Sequence, residues 1–267
     1  MKKLSIVAVA FAAVLFAACG GNKKPQTVQE TEDIKTFEQE QIEASIKLNV
    51  DSLATAMAQL KQLPITEKNG MVVLTDEERQ VKPTYLMEPA VAENTTTLSQ
   101  KYRVLSAMQV DKEIAELYGM PTAEYDNEIA KLLVDINDPS FKVISESDGI
   151  YEASQELYKA MDENGRINFY WQIVATSLVE QMYVISQNSE KFLASFDDAA
   201  AANVTMRIVL IQDAIERLTN YDPELIAVAD AIEPLKVINA VSVEEFRTQL
   251  NEAAPQIEAA RTALVME

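Results

Sequence analysis

Apolar residues recur along this chain at intervals of three and four. One run is Ile46, Val50, Leu53, Met57 and Leu60, and another is Val204, Ile208, Ile211, Ile215 and Leu218. A third is Val243, Phe246, Leu250, Ala253, Ile257, Ala260 and Leu264. Each spacing predicts a helix with one apolar stripe and charged residues behind it. No run sustains heptads long enough for a coiled coil, so bundle packing is expected. Segment 169–187 reads differently: Phe169, Tyr170, Trp171, Ile173, Val174, Leu178, Val179, Met182 and the Tyr183-Val184-Ile185 run leave little polar face. Such a helix is expected at the centre of a bundle, covered on most sides. Only Met71-Val72-Val73-Leu74, after the turn signal Asn69-Gly70, invites a strand. It has no partner run and is expected to be an extended connector within the proline-containing stretch 64–91.

Helix ends are marked between these runs. Leu117-Tyr118-Gly119-Met120-Pro121 predicts a glycine stop, with Pro121 opening the next helix. Asp222-Pro223-Glu224 supplies a cap, a first-turn proline and an acid suited to the helix dipole. Ser242-Val243-Glu244-Glu245 has capping-box spacing, and Asp162-Glu163-Asn164-Gly165 closes a helix that begins near Gly149. The expected fold class is all-α: a single irregular bundle of about eight helices, or a short array of helical hairpins such as 98–135 and 169–219.

Composition narrows the chemistry. The 267 residues include no His and one Cys. That excludes histidine-based catalytic pairs, histidine metal ligands, internal disulfides and thiolate clusters. The six glycines, of which only Gly20 and Gly21 are adjacent, cannot write a phosphate-binding loop. No cofactor is expected. The net charge of −19 opposes binding to nucleic acid or to an anionic lipid surface.

The N-terminus has Lys2 and Lys3, then about a dozen apolar residues, as a secretory signal does. It is shorter than the roughly 20 residues of a membrane span. Phe16-Ala17-Ala18-Cys19-Gly20 resembles the bacterial lipobox, with Phe16 where Leu is commoner. The resemblance implies cleavage before Cys19 and lipid attachment to it, a stable tether once more than one acyl chain is present. The expected organisation is a signal peptide over 1–18, a lipidated Cys and flexible tether over 19–33, and a helical domain over 34–267. Gly20 and the lack of an acidic run after Cys19 favour the periplasmic leaflet of the outer membrane. The expected partners are the membrane, through the lipid, and an envelope protein. The oligomeric state is left open.

Two stretches carry a second resemblance. Lys101-Tyr102-Arg103-Val104-Leu105-Ser106-Ala107-Met108-Gln109-Val110-Asp111-Lys112-Glu113-Ile114-Ala115-Glu116-Leu117-Tyr118 precedes Ser177-Leu178-Val179-Glu180-Gln181-Met182-Tyr183-Val184. Their order and separation resemble uncharacterised helical lipoproteins common in Bacteroidetes, over roughly residues 80–240. The chain lacks the Gly-Gly-Trp that often precedes the Glu. The resemblance implies an all-helical fold and, since that family has no assigned function, no mechanism.

The candidate acids are Asp111, with Glu113 and Glu116 on the same helix, and Glu180, which interrupts the apolar one. A buried acid needs a partner. Asp111 and Glu180 could form a working acid/base pair, or structural pairs with Arg103, Lys112 or a Tyr hydroxyl. Asp162-Glu163-Asn164-Gly165 and Asp135-Ile136-Asn137-Asp138 copy parts of calcium loops, but each lacks required ligand positions and reads as a helix end. Asp51-Ser52-Leu53 resembles an O-glycosylation signal of Bacteroidetes periplasmic proteins, at Ser52. Asn94-Thr95-Thr96 reads as a capping loop. Tyr118, Tyr151, Tyr158 and Tyr170 could line a groove for sugar or peptide. Three functions remain open: a non-enzymatic envelope interaction or scaffold module, a small-molecule or glycan binder with a pocket beside helix 169–187, and a carboxylate enzyme.

Overall fold

The structure, a computed structural model, describes residues 37–61, 63–65, 72–142 and 154–266. The described residues are predominantly helical, without strands. The α-helices are α1 (Phe37–Ala58), α2 (Asp76–Gln80), α3 (Leu98–Leu117), α4 (Ala123–Ile136), α5 (Ser154–Glu163), α6 (Ile167–Gln187), α7 (Ser189–Leu193), α8 (Asp198–Leu218), α9 (Glu224–Ile232), α10 (Val243–Glu252) and α11 (Ala254–Arg261). Short 3₁₀ turns cover Pro89–Asn94, Pro139–Phe141 and Glu233–Val237, and a π-turn covers Thr262–Met266. The expected signal segment, Cys19 and the tether lie outside the described residues.

Helix α6 is the axis of the bundle. Every residue from Tyr170 to Ile185 is buried, as its apolar composition requires. Helices α3, α5, α8, α9, α10 and α11 all pack against it. Helices α3 and α4 form one hairpin, and α6 and α8, joined through α7, form another. Helix α1 packs on α8 and α5. Its stripe is oriented as predicted, with Val50 and Met57 in the core and Ile46, Leu53 and Leu60 against it.

Helix ends follow local chemistry. Gly119 adopts φ +61°. Met120 N–H donates to Ala115 O at 2.8 Å, closing α3 in a Schellman turn. Gly165 (φ +67°) ends α5 in the same way, with Arg166 N–H on Met161 O at 2.7 Å. The start expected near Gly149 lies outside the described residues. Thr97 and Gln100 form a reciprocal capping box at α3, in the capping loop expected after Asn94. Asp222 Oδ1 accepts from Glu224 N–H at 3.0 Å, so Asp222 caps α9 as expected.

Three expectations need correction. Pro121 does not open α4, which begins two residues later at Ala123. The stripe from Val243 to Leu264 is not one helix. Pro255 cannot donate to a preceding carbonyl, so the chain breaks at Ala253 into α10 and α11. The stripe nevertheless stays continuous, because Phe246, Leu250, Ala253, Ile257, Ala260 and Leu264 are all buried. At Ser242 only half a box forms. Ser242 Oγ accepts from Glu245 N–H, but Glu245 takes the N–H of Val241, one residue earlier.

Val72 and Leu74 are buried while Val73 is 72% exposed, the alternation of an extended segment that pairs with no described strand.

Candidate functional site

Asp111 on α3 and Glu180 on α6 meet in the core, and both are fully buried. Their cation is Arg261 at the end of α11, instead of the expected Arg103, Lys112 or a tyrosine. Arg261 Nε lies 2.8 Å from both oxygens of Glu180. Its Nη2 is 3.5 Å from Asp111 Oδ2. The guanidinium carbon sits 4.2 Å from the centroid of the Tyr183 ring, so an aromatic face covers the charge. Asp111 Oδ2 also accepts the Met87 N–H at 2.6 Å, and the Met87 carbonyl accepts from Tyr125 Oη at 2.6 Å. The Met87 peptide is thus clamped between α3 and α4.

Two carboxylates share one guanidinium here, which leaves one negative charge uncompensated in the core. Burial raises the Asp111 carboxyl well above the ordinary 3.8, and the neighbouring Glu180 charge and a hydrogen bond between the acids raise it further. The Met87 N–H and Arg261 act in the opposite direction. Asp111 Oδ1 accepts from no described N–H or O–H.

The two alternative cations hold other parts of the fold. Arg103 Nε donates to Leu264 O at 2.7 Å and Nη1 to Gln172 Oε1 at 3.0 Å, tying the π-turn to α3 and α6. Lys112 pairs with Asp126 at 2.6 Å and Glu116 at 3.6 Å. A third buried acid, Asp138, accepts from Tyr102 Oη and from Ser140 N–H, with Arg166 Nε at 3.8 Å. Asp138 and Asp162 serve as helix-end residues. Asp162 accepts from Lys47 at 2.9 Å, and Asn137 adopts the left-handed turn that ends α4. Among the described residues, no cluster of three acidic groups has the geometry to hold a metal.

The expected tyrosine groove does not form from Tyr118, Tyr158 and Tyr170. Tyr158, Tyr170 and Trp171 stack edge-to-face in the core, with ring centroids 5.0 to 6.4 Å apart. Tyr158 Oη donates to Asp51 at 2.6 Å. Tyr118 lies elsewhere, and Tyr151 is outside the described residues. Along the middle of α6 the core is filled. The void beside Leu178, Val179, Ile208 and Ile211 is about 10 Å³, room for one water at most. Ser52 is exposed midway along α1, its hydroxyl donating to Leu48 O at 2.9 Å.

Surface concavities formed by the described residues include three. One of about 680 Å³, between the Pro89–Asn94 turn and α4, carries Glu93, Glu124, Glu128 and Asp135 against Lys131. A second of about 700 Å³ runs between the end of α1 and the start of α8, where Leu60, Pro64, Ala199 and Ala200 form a half-apolar floor and Met206 is 48% exposed. The third, of about 400 Å³, lies where α3 and α6 both end. Its walls include Lys82, Thr84, Tyr85, Tyr118, Asn188 and Lys191. Sequence reasoning missed this last site except for Tyr118. Its residues come from three segments, and none of them breaks a helical pattern.

Comparison with known proteins finds no matching family model, no matching curated protein and no matching solved structure.

Proposed function

We propose that this chain is a lipid-anchored protein of the bacterial cell envelope, held at the periplasmic leaflet of the outer membrane through Cys19, and that its helical body is a non-enzymatic interaction or scaffold module. The observation that carries the non-enzymatic reading is the placement of the acids. Asp111 and Glu180 are bound to one arginine under an aromatic ring, and neither lines a described concavity. An acid/base pair must reach its substrate, and these two are closed from water. The lipobox-like segment at Cys19 and the resemblance to helical Bacteroidetes lipoproteins support the anchor. The exposed Met206 and the half-apolar groove below it supply the kind of surface that an interaction module uses.

Crosslinking in intact cells, followed by mass spectrometry of the attached protein, tests this reading. One abundant envelope partner is the expected result. Recovery of known envelope complexes without any partner for this chain overturns it. The anchor is tested separately by palmitate labelling, which Cys19→Ser is expected to abolish together with membrane fractionation.

The second reading, a small-molecule or glycan binder, is favoured by the concavity of about 400 Å³ at the C-terminal end of α6. Its volume falls in the range of ligand pockets, and it lies at the end of the helix beside which a pocket is expected.

A further inference from the structure

The concavity where α3 and α6 end differs from the other two in charge. The site beside α4 carries four acids and one lysine, and the groove beside α8 carries Lys61 and Asp197. This one carries Lys82 and Lys191 against the single acid Glu78. A positive recess on a chain of net charge −19 runs against the surface around it.

Both ammonium groups are held in place. Lys191 Nζ lies 2.8 Å from Glu78 Oε2, and that oxygen also accepts Thr75 N–H at 2.7 Å in the capping box of α2. Lys82 Nζ donates to the carbonyl of Tyr118, where α3 ends. An ammonium has three N–H donors, so each lysine keeps donors beyond its protein contact. Between them stand groups suited to hydroxyls. The side chains of Thr84 and Asn188 make no hydrogen bond among the described residues, and Gln187 has only a 3.4 Å contact to Ser186. Tyr85, partly buried, adds a phenol ring to the wall and is braced edge-on by Tyr183 at 6.4 Å, while Tyr118 is buried and meets Lys82 through its carbonyl.

Resting on the second reading above, we infer that this recess binds a carboxylated sugar: its lysines take the carboxylate, Thr84, Asn188 and Gln187 take ring hydroxyls, and Tyr85 takes the apolar ring face. Fixed cations beside unpaired amide and hydroxyl groups select a ligand that is at once anionic and polyhydroxylated.

Calorimetric titration of the full chain with trigalacturonate, with a neutral galactose trisaccharide and with sulfate tests the assignment. Saturable binding of trigalacturonate is expected, at least tenfold tighter than the neutral sugar and not displaced by equimolar sulfate. Lys191→Gln is expected to weaken it at least tenfold and Asn188→Ala severalfold. Asn188 is exposed at the junction of α6 and α7 and Lys191 is a partly exposed residue within α7, and a far-UV circular dichroism spectrum matching the parent's shows that the variants fold. Equal binding of the neutral trisaccharide overturns the carboxylate assignment while the second reading stands. Displacement by equimolar sulfate overturns the sugar assignment, because the recess is then a general anion site. Binding of neither sugar overturns the inference. Binding that survives both substitutions places the ligand elsewhere and overturns the inference.

Discussion

Arg261 is the residue on which the deepest polar contacts depend. It stands 14% exposed between two fully buried carboxylates, and its removal leaves acids in the core with no counterion. Breaking a buried ion pair from one side costs about 3 to 5 kcal/mol, so Arg261→Met is expected to lower the free energy of unfolding by that amount in urea titration. In a Glu180→Gln background the same substitution is expected to cost at least 1 kcal/mol less, since the two residues share one interaction. Equal costs in both backgrounds would show that the pair is not coupled. Asp111 gives a prediction of opposite sign. Its folded-state affinity for protons lies above the ordinary value of 3.8 because burial disfavours its charge. The folded chain then holds a proton that the unfolded chain releases, and stability from this group is lost as pH rises from 3.8 through the folded value. Asp111→Asn removes that loss, and its amide oxygen can still accept from Met87 N–H. Its stability relative to the unsubstituted chain is therefore expected to improve between pH 4 and pH 8, and a pH-independent difference in urea midpoints would sink the idea. The two acids were legible in the sequence, because a charge on an apolar stripe is a local anomaly. Their arginine was not. It is 81 residues from Glu180, and nothing in its own helix marks it as their partner.

At the level of elements, the clearest sequence signals were those in which one backbone position has one solution. Gly119 and Gly165 both take left-handed conformations, and a Cβ at either would meet no atom within 4 Å. The cost of alanine there is the backbone term alone, about 1 kcal/mol at each site. Asparagine, which tolerates this region, is expected to cost less than alanine at both positions. Chemical denaturation of the four single variants checks this, and an alanine as stable as the parent would mean that the helix ends differently. Pro255 shows the limit of periodicity. A hydrophobic stripe reports which residues face the core, and it runs unbroken across the α10–α11 junction because both segments pack on the same wall. Where the hydrogen-bond ladder stops is a separate question, answered by the missing proline N–H. The irregular stretch between α1 and α3 was legible only as irregular. Its short helix and 3₁₀ turn are held by contacts such as Met87 to Asp111 and Lys191 to Glu78, which join residues far apart in sequence.

Across the whole molecule, the position of α6 makes a cooperative unit of pieces that would not hold alone. Helices shorter than about 12 to 15 residues are marginal in water, and α5, α9, α10 and α11 are each of ten residues or fewer. They persist because each places its apolar stripe against the one helix that is buried on every side. The all-α class was legible for the same reason, since amphipathic stripes around one predominantly apolar segment have few other ways to exclude water. The surface sites were not, because an exposed recess needs no periodic signal. The arrangement also fixes how the molecule should come apart. Buried residues from α1 through the Thr262–Met266 turn belong to one continuous core, so no subset of helices has a core of its own. Trp171, the sole tryptophan, is completely buried in α6 and reports on that centre, while far-UV circular dichroism reports on all the helices together. In a urea titration the two signals are expected to share one midpoint and one slope. The same coincidence is expected of Arg261→Met at its lower midpoint, because weakening the centre lowers the stability of everything packed on it. Helical signal that persists after the tryptophan signal is lost would mean that part of the bundle is stable without α6, and the single-core account would fail.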